Sequence, residues 1–322
     1  MPKVSAIVAI YKVEKYIERC AVSLFEQTLD DIQYIFVDDC TPDKSMDILQ
    51  QVMELYPNRK GRVTICHHEH NQGIAAARKT GLNEAQGQYV IFCDSDDWVD
   101  KEMYRLMYEK AIEENDDIVS CGWISAKSSS SFGGGSLEDF SSEVETSKDY
   151  VRELLLNKKS PFLVNKLVKR TLFNQKILFP IANAGEDMCL VCQLYYYSTR
   201  IGHVSKKMYY YYQNPTSITH SMDQQKTIDF VNNTKANFEL VCSFLGDDFL
   251  AYQAEIESHR YWIKNWMRHA VQTTADIHLW KDVYPELNNP FNRNHYFKRR
   301  DRIMALLMDL GVYPWVKKII RG

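Results

Sequence analysis

No stretch of this 322-residue chain reaches the ~18 consecutive apolar residues that a membrane-spanning helix needs. Positive charge is not in surplus either. The 39 Lys and Arg stand against 42 Asp and Glu, a net charge of −3, which argues against a general nucleic-acid binder. Glycine is missing where a dinucleotide site would need it: Ala9–Glu14 (AIYKVE), after the first strand-like run, contains none, so the G-x-G-x-x-G turn is absent, and G-x-x-x-x-G-K-[ST] occurs nowhere. Met1-Pro2-Lys3 leads directly into Val4–Ile10, which is too short and too strand-like for a signal-peptide core. Cys189-x-x-Cys192 has metal-ligand spacing, but no second pair follows, and beside Leu190 and Leu194 it reads as helix core. Cys66-His67-His68-Glu69-His70 alternates faces on a strand, so its side chains do not converge as ligands. Cys66, Cys93 and Cys121 fall in strand-like runs and read as reduced packing residues, which fits a cytoplasmic protein.

What is present is an alternation. Val4–Ile10, Ile32–Val37, Arg62–Cys66, Tyr89–Cys93 and Asp117–Trp123 are apolar runs of strand length, the first continuous enough to be buried on both faces. Between them, Val13–Phe25, Lys44–Leu55, Gly73–Ala85 and Asp100–Glu114 read as helices, with Asp43 as a cap. The pattern predicts an α/β fold, a mainly parallel sheet with helices on both faces. Further on, Lys127–Ser136 reads as a flexible loop, Thr146–Leu156, Leu163–Phe173 and Met188–Ser198 as helices, and Lys206–Gln213 as a strand. From Met222 onward the reading is a helical extension, with Trp262, Trp266, Leu279 and Trp280 as packing residues. The expected division is residues 1–220 (a nucleotide-binding half to 100, an acceptor half from 101) and an extension over 221–322.

Ligands of such sheets bind beyond the carboxyl ends of the strands. That edge here would carry Ala9–Tyr11, Asp38-Asp39, His67–Gln72 and Asp94–Asp97. Asp94, Asp96 and Asp97 put three carboxylates within four residues, and such a cluster is costly unless a cation accompanies it. Mg²⁺ or Mn²⁺ suits it, since a hard ion takes carboxylate and substrate phosphate oxygens. Phosphatases of the haloacid-dehalogenase type and receiver domains place their key acid after strand one, where this chain has none.

VSAIVAIYKVEKYIERCAVSLFEQTL, FVDDCTPDKS, NQGIAAARKTGL and YVIFCDSDDWVD, in this order, resemble the family 2 glycosyltransferases of GT-A fold. GEDMCLVCQLYYYS and YYYYQNPTSITH are similar to members that build bacterial surface polysaccharides, and together the blocks run from residue 4 to about 220. The resemblance implies metal-assisted, inverting transfer of a sugar from a nucleoside diphosphate, most simply a UDP-sugar, to an acceptor hydroxyl. It implies that Asp94 and Asp96 hold the ion, with Ser95 beside them at the nucleotide and Asp97 supporting the loop. Asp38 and Asp39 match the base-binding position, Ala9 and Tyr11 the pocket floor with Glu14 one turn on, and Arg78 a basic residue near the nucleotide. Asp187 matches the general base, with Glu186 as runner-up. Asn165, Lys166, Tyr212 and Gln213 are candidates for the acceptor or diphosphate side. One departure is that Cys40-Thr41-Pro42 stands where the family has Gly-Ser after its paired acids.

Residues 291–322 hold 8 Lys and Arg against 2 Asp and Glu. Arg293, Lys298–Arg300, Arg302, Lys317, Lys318 and Arg321 are interleaved with Phe297, Ile303, Leu306, Leu307, Leu310, Trp315, Ile319 and Ile320. That composition suits a helix on an anionic membrane surface, or equally one packed on its own domain. The expected partners are a nucleotide-sugar donor and a glycan or lipid-linked acceptor, without nucleic acid, at the cytoplasmic face of the membrane. The competing readings are a non-catalytic nucleotide- or sugar-binding module of the same fold, and a retaining or hydrolytic relative.

Overall fold

The computed structural model describes residues 1–128, 131–136, 146–214, 223–292 and 294–321, with the backbone alone for Ile320 and Arg321. Arg293, residues 129–130 of the expected loop and residues 215–220 of the last sequence block lie outside the described residues.

The first half is built as the alternation predicts. It runs β1 (Val4–Ile10), α1 (Ile17–Phe25), β2 (Ile32–Asp38), α2 (Ser45–Leu55), the single turn α3 (Pro57–Lys60), β3 (Val63–His67), α4 (Ile74–Glu84) and β4 (Tyr89–Asp94). Then come the two-residue β5 (Trp98–Val99), α5 (Met103–Glu113) and β6 (Ile118–Ser128). β1 pairs in parallel with β2 and with β4, and β2 in parallel with β3. β1, β2 and β4 are mostly apolar because helices cover both of their faces, with Val4, Ala6, Val8 and Ile10 fully buried, whereas the edge strand β3 is only partly buried. α4 lies especially close. A Cβ on Gly81 would stand 2.4 Å from Ile7 Cγ2, so only glycine lets this helix meet the sheet.

The second half is β7 (Ser131–Ser136), α6 (Ser147–Leu155), β8 (Lys166–Lys169), α7 (Glu186–Tyr197) and β9 (Ile201–Tyr212). The sheet order is β3-β2-β1-β4-β8-β6-β9-β5, with β7 on β6. β8 is antiparallel to both β4 and β6, and β9 is parallel to β6. Three expectations change here. Leu163–Phe173 is not a helix: its centre is β8, wedged between two strands, and a 3₁₀ turn over Arg170–Asn174 follows. Both edges of that gap demand backbone partners, which outweighs the local helical pattern. The expected Lys127–Ser136 loop contributes its described ends to the β6–β7 pair. The helix expected from Val13 begins at Ile17, since Lys12 (φ +55°) and the amides of residues 12–14 are held by Thr41, Ser45 and Asp43.

The extension is α8 (Gln224–Leu245), α9 (Gln253–Trp266), α10 (Ile277–Asp282), α11 (Arg299–Asp309) and α12 (Tyr313–Arg321). Its core joins that of the sheet in one apolar cluster containing residues from Val4 to Tyr313. Trp280 is fully buried, and Trp266 and Leu279 are half-buried. Trp262 packs on His259 and Trp266 and keeps 37% exposure. Among the described residues no helix is long and apolar enough to cross a membrane.

Candidate functional site

Sheet register brings the acids together. Ala9, at the end of β1, is flanked by Val37 on β2 and Asp94 on β4, while Ile10 pairs with Asp38 and Asp38 with His67. The loops beyond this edge are sewn to one another. Lys12 N donates to Thr41 Oγ1 (2.8 Å), Glu14 N to Asp43 Oδ2 (3.0 Å), and Lys44 N to Glu14 Oε2 (3.2 Å). Tyr11 stays 39% exposed at the rim.

The two acids after β2 do different work. Asp38 accepts from Thr41 N (2.8 Å) and pairs with His67 Nδ1 (3.0 Å). Asp39 is buried, and both of its oxygens are taken: His68 Nδ1 and Gln72 N on Oδ1, Asn71 Nδ2 and Gly73 N on Oδ2, at 2.7–2.8 Å. It braces the 68–73 loop.

The centre of the site is Arg78, delivered by α4 with its side chain only 4% exposed. Its guanidinium donates to Asp94 Oδ1 (2.9 Å), Asp187 Oδ1 (2.5 Å) and Glu186 Oε1 (3.2 Å). Glu186 and Asp187 form the first turn of α7, where the macrodipole favours acids, and Gly185 turns the chain into that helix at φ +74°. Leu163 N donates to Asp187 Oδ2 (3.2 Å). Buried Lys166 holds that same loop through the carbonyls of Ser160 and Phe162, and Asn165 Nδ2 donates to Cys121 O. Asn165 and Lys166 therefore sit behind the acids as supports, and Gln213 N donates to Ala126 O on β6.

Three carboxylates share one guanidinium, with two more close by, so the cluster is short of positive charge. Burial pushes the Asp94 carboxyl up to about 6, with Arg78 opposing and Asp187 adding to the rise. Burial, then the Asp187 charge, pushes Glu186 up to about 8. Burial works against the Arg78 cation, but Asp187, Asp94 and Glu186 outweigh it and hold its pKa above the ordinary value.

The Asp94–Asp97 turn is fixed by Tyr212, expected at the acceptor or diphosphate side, and by residues the sequence pattern does not single out. Asn214 Nδ2 donates to Asp96 Oδ2 (3.0 Å). Tyr209 Oη donates to Asp97 Oδ2 (2.6 Å), and Tyr212 N to Asp97 Oδ1 (2.7 Å). Burial, then the charges of Asp96 and Asp94, raises Asp97 well above the carboxylate range. Arg19 lies over the Trp98 ring (3.7 Å) and the Tyr212 ring (4.8 Å), and its Nη2 donates to Asp96 O (2.8 Å). Ser95 is buried within the turn. Alternation along β9 is the one sequence signal that points to Tyr209; Arg19 has none, lying on an ordinary amphipathic helix.

Asp94 Oδ2 and Asp96 Oδ1 carry no hydrogen bond from the described residues. Among those residues no group of three or more His, Cys, Asp or Glu could hold a metal. The donor set is thus two neighbouring carboxylates, which fits a hard divalent ion that fills its shell with substrate phosphate oxygens and water.

The sequence model described as "Glycosyl transferase family 2" matches residues 5–175. The chain is 33% identical over 225 residues to the "Uncharacterized glycosyltransferase EpsJ" of Bacillus subtilis, a match covering 68% of this chain and 63% of that protein. It is 31% identical over 214 residues to the "Poly(ribitol-phosphate) beta-glucosyltransferase" of Bacillus spizizenii, covering 65% of this chain and 32% of that one. The match thus spans less than two thirds of the length of these curated relatives. Among solved structures, TarS residues 1–349 of S. aureus in complex with UDP-GlcNAc superposes with a TM-score of 0.60 at 18% identity, covering 99% of this chain and 91% of that one. The mannosyltransferase PcManGT of Pyrobaculum calidifontis, in complex with GDP-Man and Mn²⁺, gives 0.57 at 15%, covering 99% and 87%. These likenesses show the GT-A fold.

Proposed function

Because the chain belongs to glycosyl transferase family 2, we propose that it moves a sugar from a nucleoside diphosphate, a UDP-sugar, to an acceptor hydroxyl with inversion, in the assembly of a bacterial cell-surface polysaccharide. The nucleotide-sugars held by TarS and PcManGT support the donor class, and the UDP-GlcNAc of TarS supports uridine. The observation that carries the reading is the bridge through Arg78, which ties Asp94 at the end of β4 to Asp187 and Glu186 at the start of α7. A donor-side acid and two acceptor-side acids then face one cleft.

Asp187 is the base. As the acceptor oxygen bonds to the anomeric carbon, the bond from that carbon to the diphosphate breaks and the hydroxyl proton passes to Asp187. Burial and the Asp187 charge raise the Glu186 carboxyl, so it gives up its proton less readily and stands second to Asp187. Asp94 and Asp96 would hold Mn²⁺ or Mg²⁺, which when bound supplies Lewis-acid neutralisation of the departing diphosphate. Ala9, Tyr11, Glu14, Asp38 and Ser95 line the nucleotide side, with Asp39 acting through the loop it braces. Asp97 fixes the metal turn, and Asn165, Lys166 and Gln213 support the acceptor side.

The test is release of nucleoside diphosphate from a panel of sugar nucleotides with Mn²⁺ and a polysaccharide-precursor acceptor. The full chain releases it, whereas Asp187→Asn and Asp96→Ala do not. Full activity in either variant overturns the assigned role, and a product of retained anomeric configuration overturns inversion.

We also propose that the protein works at the inner face of the membrane. On α11 and α12, Ile303, Leu306, Leu310, Trp315 and Ile319 are 39–80% exposed beside Arg302 and Lys318. The opposite side is packed: Met308 and Tyr313 are buried, and Lys317 Nζ donates to the carbonyls of Arg268, His269 and Val271. Both expectations for this segment thus find support, on different faces.

A further inference from the structure

We propose that the C-terminal helices carry a second binding site, a cavity that takes a phosphate-bearing glycan and is built from none of the residues of the Arg78 cluster. The cavity measures about 720 Å³ and lies between the end of α6, the second half of α9 and the segment leading into α11. That volume is in the range of small-ligand sites.

Its lining combines two chemistries. Tyr261, Trp262, Trp266 and Tyr296 supply rings. Trp262 stands edge-on to Trp266, with centroids 6.0 Å apart at 77°, and keeps 37% of its surface open. An indole left open forgoes burial that a core position would give it, and it is amphipathic, with an apolar face and a polar N–H. A sugar ring has matching surfaces, apolar C–H faces and a polar hydroxyl rim. Around these rings stand Lys158, Arg268, Lys298 and Arg300. The one carboxylate in the lining, Asp301, accepts from Lys298 N (2.9 Å) and faces Arg300 Nε at 3.8 Å, and Lys158 is paired with Glu153 (3.1 Å), so the excess rests on Arg268 and Lys298. A local excess of cations in a chain of net charge −3 attracts an anion, and arginine and lysine hold phosphate by charge-assisted hydrogen bonds.

No step of transfer uses these groups. The combination therefore fits a ligand with both sugar rings and phosphate. Single-stranded RNA also meets rings and cations, but it needs a groove that tracks its backbone over several nucleotides, whereas these groups line one cavity. The inference rests on the glycosyltransferase reading only in its choice of a glycan over other anions.

The test is calorimetric titration of the full chain, without donor, with mannopentaose phosphate as the probe. Mannopentaose, inorganic phosphate, oligouridylate and phosphatidylglycerol-containing vesicles are run beside it. The expected result is that the phosphorylated glycan binds about tenfold or more tightly than mannopentaose or inorganic phosphate, and that Trp262→Ala and the pair Lys298→Glu with Arg300→Glu each weaken it about tenfold. The Arg300 side chain is 80% exposed, so the charge reversal leaves the fold intact even if Trp262→Ala unfolds the helices. Diphosphate release to a small acceptor stays unchanged in the charge-reversed variant. Absence of binding, equal binding of mannopentaose, binding that survives the charge reversal, or binding of oligouridylate or vesicles alone overturns the proposal. The titration contains no donor and does not involve Asp187, so failure of the transfer assignment and failure of this site are read separately.

Discussion

Asn214 donates its amide to Asp96 at 3.0 Å, reaching from just beyond β9 to the acidic turn after β4. The bond leaves one Asp96 oxygen to face the cleft and fixes its direction. Residues that orient a ligating carboxylate commonly change metal affinity 10–100-fold when lost. Asn214→Ala is therefore expected to raise the Mn²⁺ concentration for half-maximal diphosphate release about tenfold, read from activity against metal concentration.

Arg78 is a structural requirement of the acid cluster. Its guanidinium is buried, and its removal leaves Asp94, Asp187 and Glu186, partly open to solvent, without their shared cation. Breaking a buried ion pair from one side costs about 3–5 kcal/mol, so Arg78→Ala is expected to lose that much stability in denaturant unfolding. Arg78→Lys will not restore it, because an ammonium cannot span three acceptors with a planar fork.

Cys40 occupies the left-handed region at φ +56°, and its thiol makes only a long bond to Glu69 O, 3.6 Å. A side chain there costs about 1 kcal/mol relative to glycine. Cys40→Gly should raise the midpoint of thermal unfolding by a few degrees and leave donor affinity unchanged, checked by thermal shift with and without nucleotide.

His259 links stability to acidity. It is buried, stacked on Phe238 with centroids 4.4 Å apart, and its Nδ1–H donates to Leu155 O. Burial lowers its pKa from 6.5 to about 4. The unfolded chain then binds the proton more readily, so the contribution is complete above pH 6.5 and is lost as the pH falls toward 4. At about 1.4 kcal/mol per pH unit this is about 3 kcal/mol. Unfolding free energy measured across that window should show the slope, and His259→Gln should flatten it.

The proposed membrane contact is tested on α12 side chains that lie open to solvent. Trp315 is 67% and Ile319 80% exposed. Trp315→Ser with Ile319→Ser should abolish co-sedimentation with phosphatidylglycerol vesicles while the unfolding midpoint is unchanged. Equal sedimentation of the variant removes the membrane reading.

The parallel half of the fold is legible because its strands are predominantly apolar runs, and the acids at its edge follow from where those runs stop. β8 is not legible. Four residues, Lys166–Lys169, become a strand only because β4 and β6 leave unpaired backbone on both sides. The site divides in the same way. Asp94, Asp96, Glu186 and Asp187 stand out as acids next to structural punctuation, whereas Arg19 acts through a ring sandwich and Asn214 through hydrogen bonds to residues distant in sequence, neither of which has a local signature. Asp39 reads as a ligand contact from its position, yet four hydrogen bonds commit it to the neighbouring loop.

The missing side chain at Gly81 sets a dimension of the cleft. An arginine has fixed reach, so Arg78 can clasp acids from two distant elements only while its helix rides within a methyl's width of the sheet. Gly81→Ala would act as a shim, lifting the helix and drawing the guanidinium off its acids without touching any reacting group. The distance from β4 to α7 is thus set by a residue that contributes no atom to the cluster it spaces.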